Sequence, residues 1–403
     1  MLARLDLNAA DFRKDPFPTY ARLRRETPVV AIRMPLFGES FGLTRYADVV
    51  AALTDERLVS DSRNARGSKD RMDHWLVPST LRALRNSMVS TDAPDHRRLR
   101  DLVHQAFTPR RVEALRVSVE GMVTELLDAA EKKQQVDLIA DFALPLPLRV
   151  ISEMMGVPEE DRMTFRRQMA GILDGDPTPL RLLRNLPRSY AMFQFFRKLI
   201  RLRRDRPSND LLTALVQAEE KGDRLSEDEL VAMIFLLLLA GHETTVNLIG
   251  NGVLALLQHP AELAKLREQP DLVGTAVEEI LRFTNPVGQP SPRYARETFY
   301  LQAHRIPQGA VVVPLIASAN RDEAAFDRAD TLDITRNPNR HVSFGLGAHY
   351  CLGAPLARLE GRIALNALVQ RFPRMRLAVP EKKIRFRGNS GLRGLRALPL
   401  QLS

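Results

Sequence analysis

Phe344-Gly345-Leu346-Gly347-Ala348-His349-Tyr350-Cys351-Leu352-Gly353 is the stretch that decides the fold. Gly345 and Gly347 allow a tight loop with close backbone approach. Beyond Cys351 the residues Leu356, Ala357, Leu359, Ile363, Ala364 and Leu368 fall at helical spacing. Pro355 suits the first turn of that helix, where no N–H is needed. Cys351 therefore stands at a helix N-terminus, where free N–H groups and the helix dipole favour a thiolate. A lone cysteine is ordinarily inert filler. The Gly-x-Gly-x-His-x-Cys-x-Gly frame around this one points to a ligand instead.

Cys351 is the only cysteine in 403 residues, so an internal disulfide, a four-cysteine zinc site and a four-thiolate iron–sulfur cluster are excluded. The net charge is 59 − 49 = +10, carried mainly by Arg. Basic clusters such as Arg97-Arg98-Leu99-Arg100 are short and interleaved with acids, and one Trp and six Tyr offer little for base stacking. The reading is no nucleic acid, with an acidic protein partner as the use of the charge. The longest strongly apolar run, Val231 to Gly241, is too short to span a bilayer, and Arg4 and Asp6 interrupt the N-terminus. No membrane partner and a cytoplasmic location are expected. With no repeat, low-complexity tract or Gly/Ser linker, residues 1–403 read as a single domain.

The fold class is mainly α with small peripheral β-sheets. Val29-Val30-Ala31-Ile32 and Phe41-Gly42-Leu43-Thr44 read as a hairpin around Gly38. Helical spacing runs from Pro109 to Val136 and again from Leu146 to Met155. Thr298–Leu301, Ile306 and Ala310–Val313 read as a small strand pair, and Ile384 to Leu402 as another hairpin. One helix is unusually long. Ser226-Glu227-Asp228-Glu229 is a capping box flanked by Leu225 and Leu230 as a staple, and the pattern continues to Gln258. Its middle is apolar all round, which predicts burial.

Inside this apolar stretch lies Ala240-Gly241-His242-Glu243-Thr244-Thr245. Glycine, an acid and a hydroxyl are all costly in a buried helix unless used. Thr244 can bond the carbonyl of Ala240 and open the helix locally. Gly241 leaves room against the backbone. An acid beside an alcohol at a small gap suits proton delivery, or else a polar face meeting a neighbour.

Phe344, Gly345, Gly347, His349, Cys351 and Gly353 resemble, residue for residue, the heme-binding signature of the cytochrome P450 superfamily, soluble bacterial type. Ala240-Gly241-x-x-Thr244 resembles that family's oxygen-binding helix, with Glu243 one carbon longer than the Asp many members carry. Glu279-Ile280-Leu281-Arg282 resembles its Glu-x-x-Arg, with Arg336 as the completing arginine. The resemblance implies the cytochrome P450 fold, heme b (iron protoporphyrin IX) as cofactor and Cys351 as its iron ligand. It further implies propionate contacts from His96, Arg100, Arg293, His341 and His349; the plain reading of the residues has Arg97 and Arg98 solvated and leaves a loop cap open for His341. Oxygen would bind at Ala240-Gly241, and Glu243 and Thr244 would relay protons.

The implied activity is a monooxygenase that inserts one oxygen atom of O2 into a lipophilic small molecule by hydroxylation or epoxidation. A polyketide, macrolide or terpenoid of secondary metabolism is the favoured class, and a steroid or fatty acid a near alternative. Electrons would come from a ferredoxin or flavodoxin with its NAD(P)H reductase. The pocket would be lined by Trp75, Leu76, Leu84, Met88, Val89, parts of 165–192, Leu236, Leu239, Ala240, Val287, Gln289 and Asn389–Leu392. Three alternatives stay open: a peroxide-driven thiolate-heme peroxygenase, a non-catalytic heme sensor or carrier, and a basic helical protein without heme.

Overall fold

The computed structural model describes residues 2–7, 9–34, 38–66, 87–133, 135–173, 179–220, 225–387 and 391–402. Among them helices dominate, and the strands form sheets of six, three and two. The six-stranded sheet runs Arg4–Leu5, Val29–Met34, Gly38–Leu43, Val311–Pro314, Arg293–Ala295, Leu58–Val59. Its central hairpin pairs Val29 with Leu43 and Ile32 with Ser40. Side chains alternate across it, as the two-residue period of a strand requires. Val29, Leu43 and Val312 enter one apolar cluster, whereas Val30, Ile32, Val311 and Val313 enter another on the opposite face.

The main core is built on the helix Glu227–Gln258, 32 residues long, with both reciprocal bonds of the Ser226/Glu229 capping box in place. Among the described residues it is the one helix long and apolar enough to cross a membrane, and its apolar window is mostly buried inside the protein. Against it pack Pro145–Met154, Val273–Thr284 and Ala354–Arg371. Close approach between the last of these and the long helix depends on Gly361, where an added Cβ would come 2.9 Å from Leu248 Cδ2. The helix that follows Cys351 is thus seated directly on the long one.

A buried charge network anchors the approach to the cysteine loop. Arg282 donates through Nε and Nη2 to the two oxygens of Glu279, each at 2.8 Å, and through its remaining donors to the carbonyls of Asn320, Ala329 and Thr331. Arg336 and Asn339 close on the same carboxylate. Asn320 then joins Asn285, Ser343 and the Val342 N–H, and Ser343 Oγ donates to the carbonyl of Leu281. These bonds fix where residues 342–343 pass the end of the Val273–Thr284 helix.

Several sequence expectations shift. The stretch from Pro109 to Val136 is two helices, Pro109–Ala114 and Arg116–Glu131, followed by the strand Gln135–Asp137, which pairs with Pro399–Gln401. Periodicity cannot see the break at Leu115, because the apolar face is preserved across it. Phe299–Leu301 pairs with His304–Ile306, while Val311–Pro314 joins the large sheet beside Gly38–Leu43. Arg98 is not solvated: it lies half-buried against Glu229 at 2.6 Å and ties the helix Asp95–Ala106 to the capping box. The expected turn residues 35–37 and 388–390 lie outside the described residues.

Candidate active site

Cys351 follows a short 3-10 turn, Gly347–His349, and precedes the N-cap Gly353 of the helix Ala354–Arg371. The loop is held by its own backbone, with Cys351 N–H donating to the Phe344 carbonyl at 2.9 Å. Gly345 and Gly347 both adopt φ +69°, in the left-handed region. At Gly347 a side chain would also be crowded, since a Cβ would lie 3.2 Å from the Leu53 carbonyl. Phe344 is capped by the Arg358 guanidinium, 4.5 Å over its ring.

The Ala354 N–H donates to the Cys351 carbonyl at 3.4 Å, and the N–H groups of Gly353 and Ala354 favour the thiolate form of the sulfur. The residue is exposed by area. Its surroundings are nevertheless dense enough that burial pushes the thiol up, against those N–H groups and the charges of Arg100 and Arg358. The N–H groups of the helix terminus act in the expected direction, toward a thiolate, and burial acts against them. In the protein as it stands, burial outweighs the dipole, and a cation at the sulfur is what would reverse the balance.

Beside the loop stands a cluster of basic side chains. Arg293, delivered by its strand in register with Val312, donates to Ser60 Oγ. Nε2 of His349 lies 3.0 Å from the same hydroxyl. The rings of His96 and His349 are 4.1 Å apart between centroids. Arg100 reaches the carbonyl of Tyr350 at 2.8 Å. Burial, followed by the charges of Arg293, His96 and Arg100, holds His349 down at about 3. His96 is lowered by burial and then by Arg100, and Arg293 is lowered by burial. His96 Nε2 is buried without a hydrogen-bond partner. Two arginines and an orphaned buried imidazole nitrogen are what a pair of carboxylates would satisfy.

His341 is not part of this cluster. Its Nδ1 accepts from the Ser343 N–H, so Nε2 is the donor to Glu278, at 3.0 Å. Glu278 in turn accepts two bonds from Arg358, at 2.7 and 2.8 Å. With both nitrogens engaged, His341 serves the loop and has no donor left for a propionate.

On the long helix, Thr244 Oγ1 donates to the Ala240 carbonyl at 2.9 Å, and Thr245 repeats the pattern on Gly241 at 3.1 Å. Ala240 is exposed, Leu236 and Leu239 are half-buried, and a Cβ on Gly241 would meet Ile151 Cδ1 at 3.5 Å. The space at Gly241 is therefore bounded by Ile151 rather than open. Burial raises the Glu243 carboxyl, and Arg387 opposes it from 3.8 Å. Val287 and Leu392 form a backbone bridge, and the Gly288 N–H donates to the Gly391 carbonyl at 2.9 Å. Gln289 is buried beside them. Met88 is buried in the main core, whereas Val89 is exposed. Trp75, Leu76, Leu84 and Asn389 lie outside the described residues, as do 174–178.

Sequence reasoning missed Ser60, Glu278, Arg358 and Arg387. Ser60 carries no local signal, because Arg293 and His349 meet on it from distant segments. Arg358 had one: it lies seven residues beyond Cys351, about one turn into the helix that follows it.

Among the described residues no group of three or more His, Cys, Asp or Glu is arranged to hold a metal ion. What they offer is one sulfur beside a basic cluster, which fits iron brought in by an anionic ring.

The sequence model described as Cytochrome P450 matches residues 34–389. The polyketide biosynthesis cytochrome P450 PksS of Bacillus subtilis (strain 168) is 45% identical over 396 residues, covering 98% of this chain and 97% of that relative. Its solved structure superposes with a TM-score of 0.92 at 44% identity, over 98% of this chain and 99% of that one. Cytochrome P450 monooxygenase PikC of Streptomyces venezuelae is 41% identical over 403 residues, covering 98% of this chain and 94% of its own. P450BioI, solved in complex with a hexadec-9Z-enoic acid ligated acyl carrier protein, superposes with a TM-score of 0.88 at 38% identity, covering 98% and 100%. The family binds heme and is one of monooxygenases, as PikC is named. The chain belongs to the cytochrome P450 family.

Proposed function

We propose that this cytochrome P450 monooxygenase is a single heme-thiolate unit over residues 1–403. It oxidises a lipophilic polyketide or macrolide, with electrons from a ferredoxin or flavodoxin and its NAD(P)H reductase. One observation carries the site assignment: His96, Arg100, Arg293 and His349 converge beside the only thiol, and one buried nitrogen among them lacks a partner. Cys351 is the proposed iron ligand, and Arg100, Arg293, His96 and His349 the proposed propionate contacts. Heme, when bound, supplies oxygen activation and insertion.

The chain's own residues do the rest. The Gly353 and Ala354 N–H groups favour the thiolate form of the sulfur. Phe344, Gly345 and Gly353 shape its loop. Ala240 and Gly241 face the reacting side, where Thr244 presents its hydroxyl and Glu243 stores a proton. Leu236, Leu239, Val287 and Leu392 exclude water and select an apolar substrate. The polyketide preference is supported by the likeness to PksS.

The test is the carbon monoxide difference spectrum of the reduced protein. A thiolate-type band in the wild type and its loss in Cys351→Ser are expected; a band that persists unchanged would remove Cys351 from the iron. Turnover with peroxide but never with ferredoxin, reductase and NAD(P)H would favour a peroxygenase instead. The net charge of +10 also suits an acidic carrier protein. A carrier-tethered acyl chain is therefore a second substrate form, supported by the likeness to P450BioI, and a spin-state change with acyl carrier protein but not with the free acid would establish it.

A further inference from the structure

A cleft of about 1070 Å3 opens between the short helix Ala10–Lys14, the end of the long helix and the C-terminal hairpin bridged at Phe386 and Leu395. Its described lining comes from residues 10–17, 251–259, 283–284, 321, 381–386, 393 and 396, so it shares nothing with the cysteine loop or with residues 236–245. The lining is basic, with seven Arg and Lys and three acids. Arg13, Lys14, Lys382, Arg385 and Arg396 stand exposed on its rim. Among the described residues none of these five is within ion-pair distance of a carboxylate. Of the acids, Glu381 accepts from Gln258 Nε2 and Asp15 from the Phe17 N–H.

Two further arginines lie deeper, and both approach the ring of Phe17, Arg321 at 4.2 Å and Arg393 at 5.5 Å from its centroid. Arg321 has Asp330 as counter-ion at 3.0 Å. Arg393 instead donates to the carbonyls of Arg13 and Lys14, at 3.4 and 3.2 Å, so its charge stays unanswered. Burial lowers both guanidiniums to about 10, which leaves them charged near pH 7. The floor carries a second, independent sign. Asn251 is 4% exposed, and its Nδ2 donates to the Arg393 carbonyl at 2.6 Å. That bond fixes the amide orientation, because the reverse would set two oxygens against each other. Its Oδ1 is thereby left buried with no hydrogen-bond partner. An oxygen so placed takes a donor, a hydroxyl or an N–H. Leu254, Ala255 and Ile384 add an apolar wall beside it.

We propose that this cleft is a binding site for a nucleoside diphosphate, with its phosphates on Arg393 and the rim cations, a sugar hydroxyl donating to Asn251 Oδ1, and its base against the apolar wall. Seven cations against three acids leave an excess of four charges, which two phosphate groups answer at about two each. Arginine suits phosphate oxygens through paired N–H donors. The site is separate from the oxidation site, and its assignment does not depend on the monooxygenase reading. No bond is made or broken there.

The experiment is a calorimetric titration of the purified holoprotein with adenosine diphosphate, for which one saturable site is expected. Lys14→Gln combined with Arg396→Gln removes two exposed rim charges, so the fold is not at stake, and affinity is expected to fall about tenfold. Arg110→Gln combined with Arg305→Gln removes two exposed charges outside the cleft and is expected to leave affinity unchanged. Wild type is expected to bind 2′,3′-dideoxyadenosine diphosphate about tenfold more weakly than adenosine diphosphate, because the analogue has no hydroxyl for Asn251. Asn251→Ala is expected to bind the two alike. No saturable heat overturns the proposal, and so does an equal loss in the two charge variants, which would show only diffuse attraction to a basic protein. Equal affinity of wild type for the two diphosphates also overturns it, and that comparison needs no variant to fold.

Discussion

Glu279 and Arg282 face each other one turn apart on a single helix, joined by two parallel bonds of 2.8 Å, with neither side chain exposed to solvent. Removing one charge leaves the other buried and unanswered. Glu279→Gln strands both Arg282 and Arg336, so a loss of about 3–5 kcal/mol is expected. The measurement is urea unfolding followed by heme absorbance and circular dichroism together. A loss below about 1 kcal/mol would mean the cluster is solvated in solution.

Thr244→Ala removes a hydroxyl that donates to the Ala240 carbonyl of its own helix, so stability should change little. Product formed per NAD(P)H consumed should fall about tenfold or more, with the missing electrons appearing as peroxide or water. Unchanged coupling would assign the hydroxyl to helix geometry alone.

Glu278 sets an acid limit. Burial pulls its carboxyl up, but the bonds and charges of Arg358 and His341 more than offset this and hold it down at about 2. A depressed carboxylate contributes stability above its unfolded value, 4.5, and the contribution is lost as pH falls through 2. Wild-type melting temperature should therefore fall between pH 4.5 and 2 by an amount corresponding to roughly 2 kcal/mol, and Glu278→Gln should flatten that interval. Equal slopes for the two proteins would place the acid sensitivity elsewhere.

Reduction by an acidic ferredoxin should slow steeply with salt. The chain carries +10, and Arg100 and Arg358 flank Tyr350 on the cysteine loop. Screening shortens from about 10 Å at 0.1 M to about 3 Å at 1 M. Stopped-flow reduction rates that do not change over that range would exclude charge-guided docking.

The amino-acid sequence by itself determined the local devices: the capping box at Ser226, the glycines that shape the Cys351 loop, the spacing of Glu279 and Arg282, and the acid and alcohol at residues 243 and 244. Each is a matter of residues within a few positions of one another, so backbone geometry alone relates them. Where His341 spends its nitrogens, how Ser60 gathers Arg293 and His349, and which cation answers Glu243 were decided only by the tertiary structure. Apart from Ser343, which sits two residues from His341, those partners lie tens to hundreds of residues apart, and burial, which raises the Cys351 thiol and the Glu243 carboxyl, exists only once the chain has closed around them.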